Sequence, residues 1–248
     1  MTLYEPTKED KKLYGGMSLC ILSPIMHAEP QWVRSMVNMV AYSWMNGLKI
    51  YSFGCSERTV VDWARNSLAE EALHKKCEYT GKHFTHFMWL DADHVFNPDM
   101  GCYLARHFNH PKVDAISALY YGRTGQPLPV VYVEDNTDDE FKHFPIVEVP
   151  PTLCAVDAIG FGACITKREM FVNTPKPWFT LDWRAGEDIA FCVKARKFGY
   201  RFWADGSYKL GHIGMAPVVT YQDYDKYMEE NKEVYADRVK IALDGERD

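Results

Sequence analysis

The sequence predicts an α/β fold, a Rossmann-like, doubly wound, mostly parallel central sheet with helices on both faces. Two observations carry this. Over the first ~95 residues, apolar strand-like runs alternate with helix-period segments in the order β-α-β-α-β, the pattern of a parallel sheet. The most apolar of these runs, Phe84 to Leu90, ends in Asp91-Ala92-Asp93. Open parallel sheets bind ligands at the carboxyl ends of their strands, and an acidic pair at such an end needs a positive partner.

The elements follow in order. Residues 1–16 read as a loose polar lead-in closed by Gly15-Gly16. Met17 to Ser23 (MSLCILS) is a first buried strand stopped by Pro24. Pro30 suits a first helical turn, and Val33, Met36, Val37, Val40, Ala41 and Trp44 recur at helical spacing up to the stop at Gly47. Leu48 to Phe53 is a second strand, and a second helix runs from about Thr59 to about Lys76. After the third strand, Asn97-Pro98 opens a short helix through Phe108, and Val113 to Leu119 is a fourth strand. Val130 to Val133 and Ile146 to Val149 read as short strands flanking an acidic loop tip, 134–140. Ala155 to Ile159 is another short strand, followed by Gly160-Phe161-Gly162-Ala163 and a helix at 167–173. A helix opens at Gly186-Glu187-Asp188 and ends at Gly199; Tyr200 to Ala204 and Tyr208 to Gly214 are strand-like. From Tyr221 the tail is charged and helical, with Val239 and Ile241 late in its apolar stripe. This predicts a single domain of two halves, at about 17–122 and about 123–220, with a helical tail at about 221–248.

Composition bounds the function. The net charge of -6 opposes broad electrostatic binding of nucleic acid, leaving only a local basic groove. Seven cysteines without a CxxC pair read as reduced, mostly buried thiols and not as a zinc site. The N-terminus is polar and no apolar run approaches the ~20 residues of a membrane span. A soluble, cytoplasmic protein without a membrane partner is expected.

Three motifs carry chemistry. Asp91 and Asp93 can reach one divalent cation where the chain turns at the strand end, or they can cap the helix that follows. Glu187 and Asp188 suit the dipole of a helix N-terminus, and they equally suit a catalytic base with a neighbour that orients an acceptor hydroxyl. His212, between two glycines, is a metal ligand or a core histidine bonded to backbone.

The ordered set of DxD at a strand end, GED at a helix start and a later His resembles the GT-A class of nucleotide-sugar glycosyltransferases. It is most similar to the family 2-like group with a (W)GGED-type motif, and the resemblance spans residues 17–215 or so. It implies a donor site of Ser23, Pro24, Arg65, Asn66, Asp91, Ala92, Asp93 and Gly162. It implies that Asp91, Asp93 and His212 hold Mn²⁺ or Mg²⁺ on the diphosphate of a UDP-sugar. His94, beside Asp93, competes with His212 for the third position; the resemblance favours His212. Asp188 would be the base of an inverting displacement, with Glu187, Gly186 and Trp183 on the acceptor. The chain departs from the pattern at Ala185, where a second Gly is expected.

The layout resembles small bacteriophage-encoded enzymes, which implies a hydroxymethylated pyrimidine in DNA as acceptor and the host cytoplasm as location. Lys75, Lys76, Lys82 and His83 form one basic cluster, and Lys194, Arg196, Lys197 and Arg201 a second that could meet phosphates or simply be a solvated helix face. Trp178, Phe179 and Trp183 suit stacking on a sugar or base, or core packing. The alternatives are a polysaccharide, glycolipid or protein acceptor, or a nucleotide-sugar-binding module without catalysis.

Overall fold

A computed structural model describes residues 2–56, 59–123, 126–135, 142–182, 185–214 and 219–235. Trp183, positions 136–140 of the acidic tip, and Val239 and Ile241 of the tail lie outside these residues.

The lead-in is not loose. Residues Lys8–Gly15 form α1, opened by a reciprocal capping box between Thr7 and Asp10 and anchored by Tyr14, whose hydroxyl donates to the Cys102 carbonyl at 2.6 Å. The β-α-β-α-β start follows as expected, with β1 (Ser18–Pro24), α2 (Pro30–Met45), β2 (Lys49–Ser56), α3 (Val61–His74) and β3 (His86–Leu90). A two-residue strand, β4 (His94–Val95), precedes α4 (Met100–Ala105) and β5 (Ala115–Leu119). Then come β6 (Val131–Glu134), β7 (His143–Pro145), β8 (Leu153–Val156), β9 (Ala158–Ile159), β10 (Ala163–Lys167) and α5 (Arg168–Asn173). The last elements are α6 (Glu187–Lys197), β11 (Phe202–Lys209), β12 (Gly211–His212) and α7 (Tyr221–Glu230).

The seven-stranded sheet has the order β2-β1-β3-β10-β5-β11-β8. Strands β2, β1, β3, β5 and β11 run one way; β10 and β8 run against them. Strand β10 was not expected, and the strand expected at Ile146–Val149 is absent, its place beside β6 taken by β7. Because β10 lies between β3 and β5, the early and late parts of the chain share one sheet.

Period-two alternation divides the core between the two faces. Phe87 and Trp89 of β3 pack on one side with Leu68 and Ala72 of α3, Phe171 of α5 and Phe191 of α6. Met88 and Leu90 pack on the other with Tyr14, Trp32, Met39 and Met100 of α1, α2 and α4. With helices covering both faces, polar groups can gather only at the strand ends. Leu90 is fully buried while Asp91, the next residue, is partly exposed at the carboxyl edge of a central strand. Six of the seven cysteines are buried and all are free thiols. Among the described residues, no helix is long and apolar enough to cross a membrane.

Candidate active site

Two polar clusters meet at the carboxyl edge of the sheet. The first is built around Arg65, in the middle of α3 and only 3% exposed. Its Nη2 donates to both carboxylate oxygens of Asp91, at 2.9 and 3.1 Å, and its Nη1 donates to Glu187 Oε1 at 2.5 Å. The N-terminus of α6, capped by Gly186, presents Glu187 and Asp188 to the same guanidinium, and an acidic pair is favoured at that end of the helix dipole. Burial pushes both carboxyls above the ordinary range and Arg65 opposes this; Asp91 adds to the rise of both, and Asp188 adds to that of Glu187. Burial would likewise lower the Arg65 pKa, but Asp91, Glu187 and Asp188 together raise it. Three carboxyl groups therefore share one cation, and the cluster carries surplus negative potential.

The second cluster is Asp93, His94 and His212, whose potential ligand atoms all lie within 4.8 Å of one another. Secondary structure dictates this meeting. Strands β4 and β12 form an antiparallel ribbon in which His212 pairs directly with His94, and the two imidazoles stack at 4.4 Å, 11° from parallel. His212 Nδ1 lies 2.8 Å from the Tyr121 carbonyl, which can only accept, so Nδ1 carries the proton and the Nε2 lone pair is directed to Asp93 Oδ2 at 3.5 Å. His94 is 0% exposed, yet neither ring nitrogen has a hydrogen-bond partner, and Asp93 Oδ1 has none either. Burial alone would raise the Asp93 pKa, but the His212 and His94 rings beside it hold it well below the usual carboxylate range. Arg123 also contacts Asp93, from a half-exposed position. Buried, unpartnered nitrogens around an ionised carboxylate fit a cation. Two imidazoles with one carboxylate suit a first-row transition ion better than Mg²⁺, which prefers all-oxygen shells.

The structure redistributes the expected roles. Asp91 stands apart from the Asp93–His94–His212 group; its side chain pairs with Arg65, and His94 lies beside His212. The chain leaves β3 at Asp91, and the two carboxylates have different partners, Arg65 for Asp91 and the two histidines for Asp93. Asn66 is a fastener: its Oδ1 accepts from the backbone N–H of Trp178 and Phe179, and its Nδ2 donates to the carbonyls of Asp62 and Phe179. Ser23 is fully buried and its hydroxyl donates to the Leu90 carbonyl, tying β1 to the end of β3 instead of facing a donor. Pro24 ends β1 and is partly exposed, while Ala92 is 6% exposed. Trp178 and Phe179 are 2% and 1% exposed, so they are core residues and not a stacking platform.

Gly162 is tightly packed. Its N–H donates to the Tyr120 hydroxyl at 3.1 Å and its carbonyl accepts from Asp91 N–H at 2.9 Å. A Cβ there would sit 2.7 Å from His94 Cε1 and 2.9 Å from the Tyr120 oxygen. Gly162→Ala is expected to displace the His94 ring, lower stability by about 1–3 kcal/mol and weaken Mn²⁺ binding. Thermal unfolding and calorimetric titration measure the two effects; wild-type values in both would show that the ring has room to move.

Tyr120 and Arg123 were not singled out from the sequence. They follow the carboxyl end of β5, and the rule that drew attention to Asp91 applies to that strand too. Tyr120 lies edge-on to both imidazoles, at 4.6 and 5.7 Å.

No protein-family model matches the chain, and no curated protein matches it in sequence. Solved structures do. A197 from STIV superposes with a TM-score of 0.53 at 20% identity, over 79% of this chain and 85% of that one. GalNAc-T7 with UDP, GalNAc and Mn²⁺ superposes with a TM-score of 0.53 at 13% identity, over 86% of this chain and 47% of the GalNAc-T7 chain. The fold is of the GT-A type. At these identities the likeness is one of architecture, and function has to be argued from the site.

Proposed function

We propose that the protein is a metal-dependent glycosyltransferase that moves a sugar from a UDP-sugar to an acceptor hydroxyl with inversion. The observation that carries this is the Asp93–His94–His212 cluster, in which three buried polar atoms are unpartnered, beside an acidic pair of raised pKa on one sheet edge. The fold it shares with GalNAc-T7, a structure holding UDP and Mn²⁺, supports the nucleotide-sugar reading.

Asp93, His94 and His212 would hold the cation, which when bound supplies the positive charge that a departing diphosphate requires. Asp188 accepts the acceptor's hydroxyl proton as the oxygen bonds to the anomeric carbon and the sugar–diphosphate bond breaks, its electron pair leaving with UDP. The raised pKa of Asp188 makes it a stronger base than an exposed aspartate. Glu187, held by Arg65, orients the acceptor, with Gly186 beside it; a role for Trp183 there rests on the sequence resemblance alone. Arg65 keeps Asp91 and Glu187 in place and offsets part of their negative charge.

The acceptor we propose to try first is a hydroxymethylated pyrimidine in DNA. Its support is the resemblance to phage-encoded enzymes. Two side chains of the basic cluster invoked for it have internal partners: Arg196 pairs with Glu134 and Asp157 at 2.8 and 3.2 Å, and Lys194 donates to the Pro177 carbonyl at 2.5 Å. DNA phosphates would have to be met by Arg201 or by residues elsewhere.

The test is UDP release from common UDP-sugars with Mn²⁺, with and without a hydroxymethylpyrimidine oligonucleotide. UDP release without the oligonucleotide supports the donor half, and salt-sensitive transfer supports the acceptor half. Metal binding without UDP release from any UDP-sugar would overturn the enzyme reading.

Asp188→Asn should abolish transfer while leaving donor affinity intact. It should also raise the melting temperature near neutral pH, because it removes one of three carboxyl groups around one guanidinium. The sign follows from linkage: a carboxyl raised in the folded state weakens stability as pH climbs from its unfolded pKa to its folded one. The wild-type protein should lose stability over that window and the variant lose less. Equal pH profiles would assign the raised pKa elsewhere.

A further inference from the structure

A cavity of about 430 Å³ opens between the C-terminal end of α3 and α5, within the size range of small-molecule sites. It is remote from the reaction centre. His74 lies nine positions beyond Arg65 on α3, about 13 Å along the helix. Arg168 donates its backbone N–H to Thr85, which precedes β3, whereas Asp91 follows the other end of that strand.

The lining is cationic and partly unsatisfied. Arg168, Lys176, His74 and His83 contribute basic groups. Glu70 contacts both Lys176 and His74, so a single carboxylate serves two of them. Thr174 is 2% exposed, lines the cavity and has no partner for its hydroxyl; the buried Nε of Arg168 has none either. Beside these, Val172 is 53% exposed and offers an apolar surface. Lys75, Lys76 and Lys82 lie in the adjoining chain, joined by a bridge between Lys76 and His83, and extend the positive field.

We infer that this cavity is a second ligand site, for a small organic anion whose phosphate or carboxylate head is carried on an apolar body. The head meets Arg168, Lys176 and the Thr174 hydroxyl, and the body rests on Val172. Arg168, whose Nη2 already donates to the Leu73 carbonyl at 3.1 Å, and Lys176 give the head charge-assisted hydrogen bonds, which are the strong ones, and Thr174 Oγ1 has no partner within the folded chain.

Isothermal titration of the full chain with phenyl phosphate, benzoate and inorganic phosphate tests this. Phenyl phosphate or benzoate should bind, and more tightly than inorganic phosphate; whichever of the two binds better identifies the head group. Arg168→Gln and Thr174→Val should each weaken binding, the former about tenfold or more. Lys176→Gln, at an exposed rim, provides a variant that keeps the fold. Asp93→Asn should leave this binding unchanged, which separates it from the reaction centre. Absence of binding at millimolar concentrations, indifference to both Arg168→Gln and Lys176→Gln, or loss on Asp93→Asn would overturn the assignment. Equal affinity for inorganic phosphate would overturn the apolar part of it.

Discussion

Replacing Arg65 with methionine is expected to destabilise the protein by about 3–5 kcal/mol, the usual consequence of removing one partner from a buried ion pair. Arg65 is 3% exposed and is the guanidinium that Asp91 and Glu187 both contact. Without it, their carboxylates keep the cost of leaving water and lose the attraction that offsets it. Against a total of about 5–15 kcal/mol, the loss removes a large share of stability and should lower the melting temperature by roughly 10 °C. The cause is separable from lost packing. If uncompensated charge is responsible, Arg65→Met combined with Asp91→Asn and Glu187→Gln should recover much of the stability. Chemical denaturation of the single and triple variants decides between the two. A triple variant no more stable than the single one would mean that the arginine acts through contacts with Phe161 and Phe179, both 5.9 Å from its guanidinium carbon. Transfer should be lost in all of these variants, since Glu187 and Asp91 lose their common anchor.

The features that were legible are those whose signal is local. The apolar run of β3, the acids at its exit and the glycine-led acidic start of α6 are each written within a few residues, and each forms the element expected of it. What was not legible is which group each acid faces. Asp91 and Asp93 read as a pair, but Asp91 reaches Arg65, 26 residues earlier, while Asp93 faces His94 and a histidine 119 positions later. That choice is made by the β4–β12 ribbon, two residues per strand, too short to leave a periodic pattern. Strand β10 escaped for a similar reason: Ala163-Cys164-Ile165-Thr166 is buried on both faces, so it shows no alternation and has no breaker between it and α5. The α1 helix was hidden by charge, because its stability comes from a capping box using Asp10 and from one buried tyrosine instead of an apolar stripe. Asn66 shows the limit of motif reading. The Arg-Asn pair is present, but its second member holds the backbone of Trp178 and Phe179.

The different partners of the two aspartates make a prediction that separates the structure from the motif. Calorimetric titration with Mn²⁺ should show binding lost, by more than about 100-fold, in His94→Ala, His212→Ala and Asp93→Asn, since ligand loss should exceed the 10–100-fold typical of groups one shell further out. Asp91→Asn should bind Mn²⁺ close to normally, because that carboxylate is held by Arg65. A two-aspartate site predicts the reverse for Asp91 and no loss at His94. Mg²⁺ should bind more weakly than Mn²⁺ to a set with two imidazoles. Arg123 adds a change of opposite sign. Its guanidinium lies against Asp93 from a half-exposed position, where it competes with a cation for the same carboxylate. Arg123→Ala should therefore tighten Mn²⁺ binding several-fold, most at low salt, where a partly exposed charge is least screened. Retained affinity in His94→Ala together with loss in Asp91→Asn would restore the two-aspartate site and remove the second histidine from it.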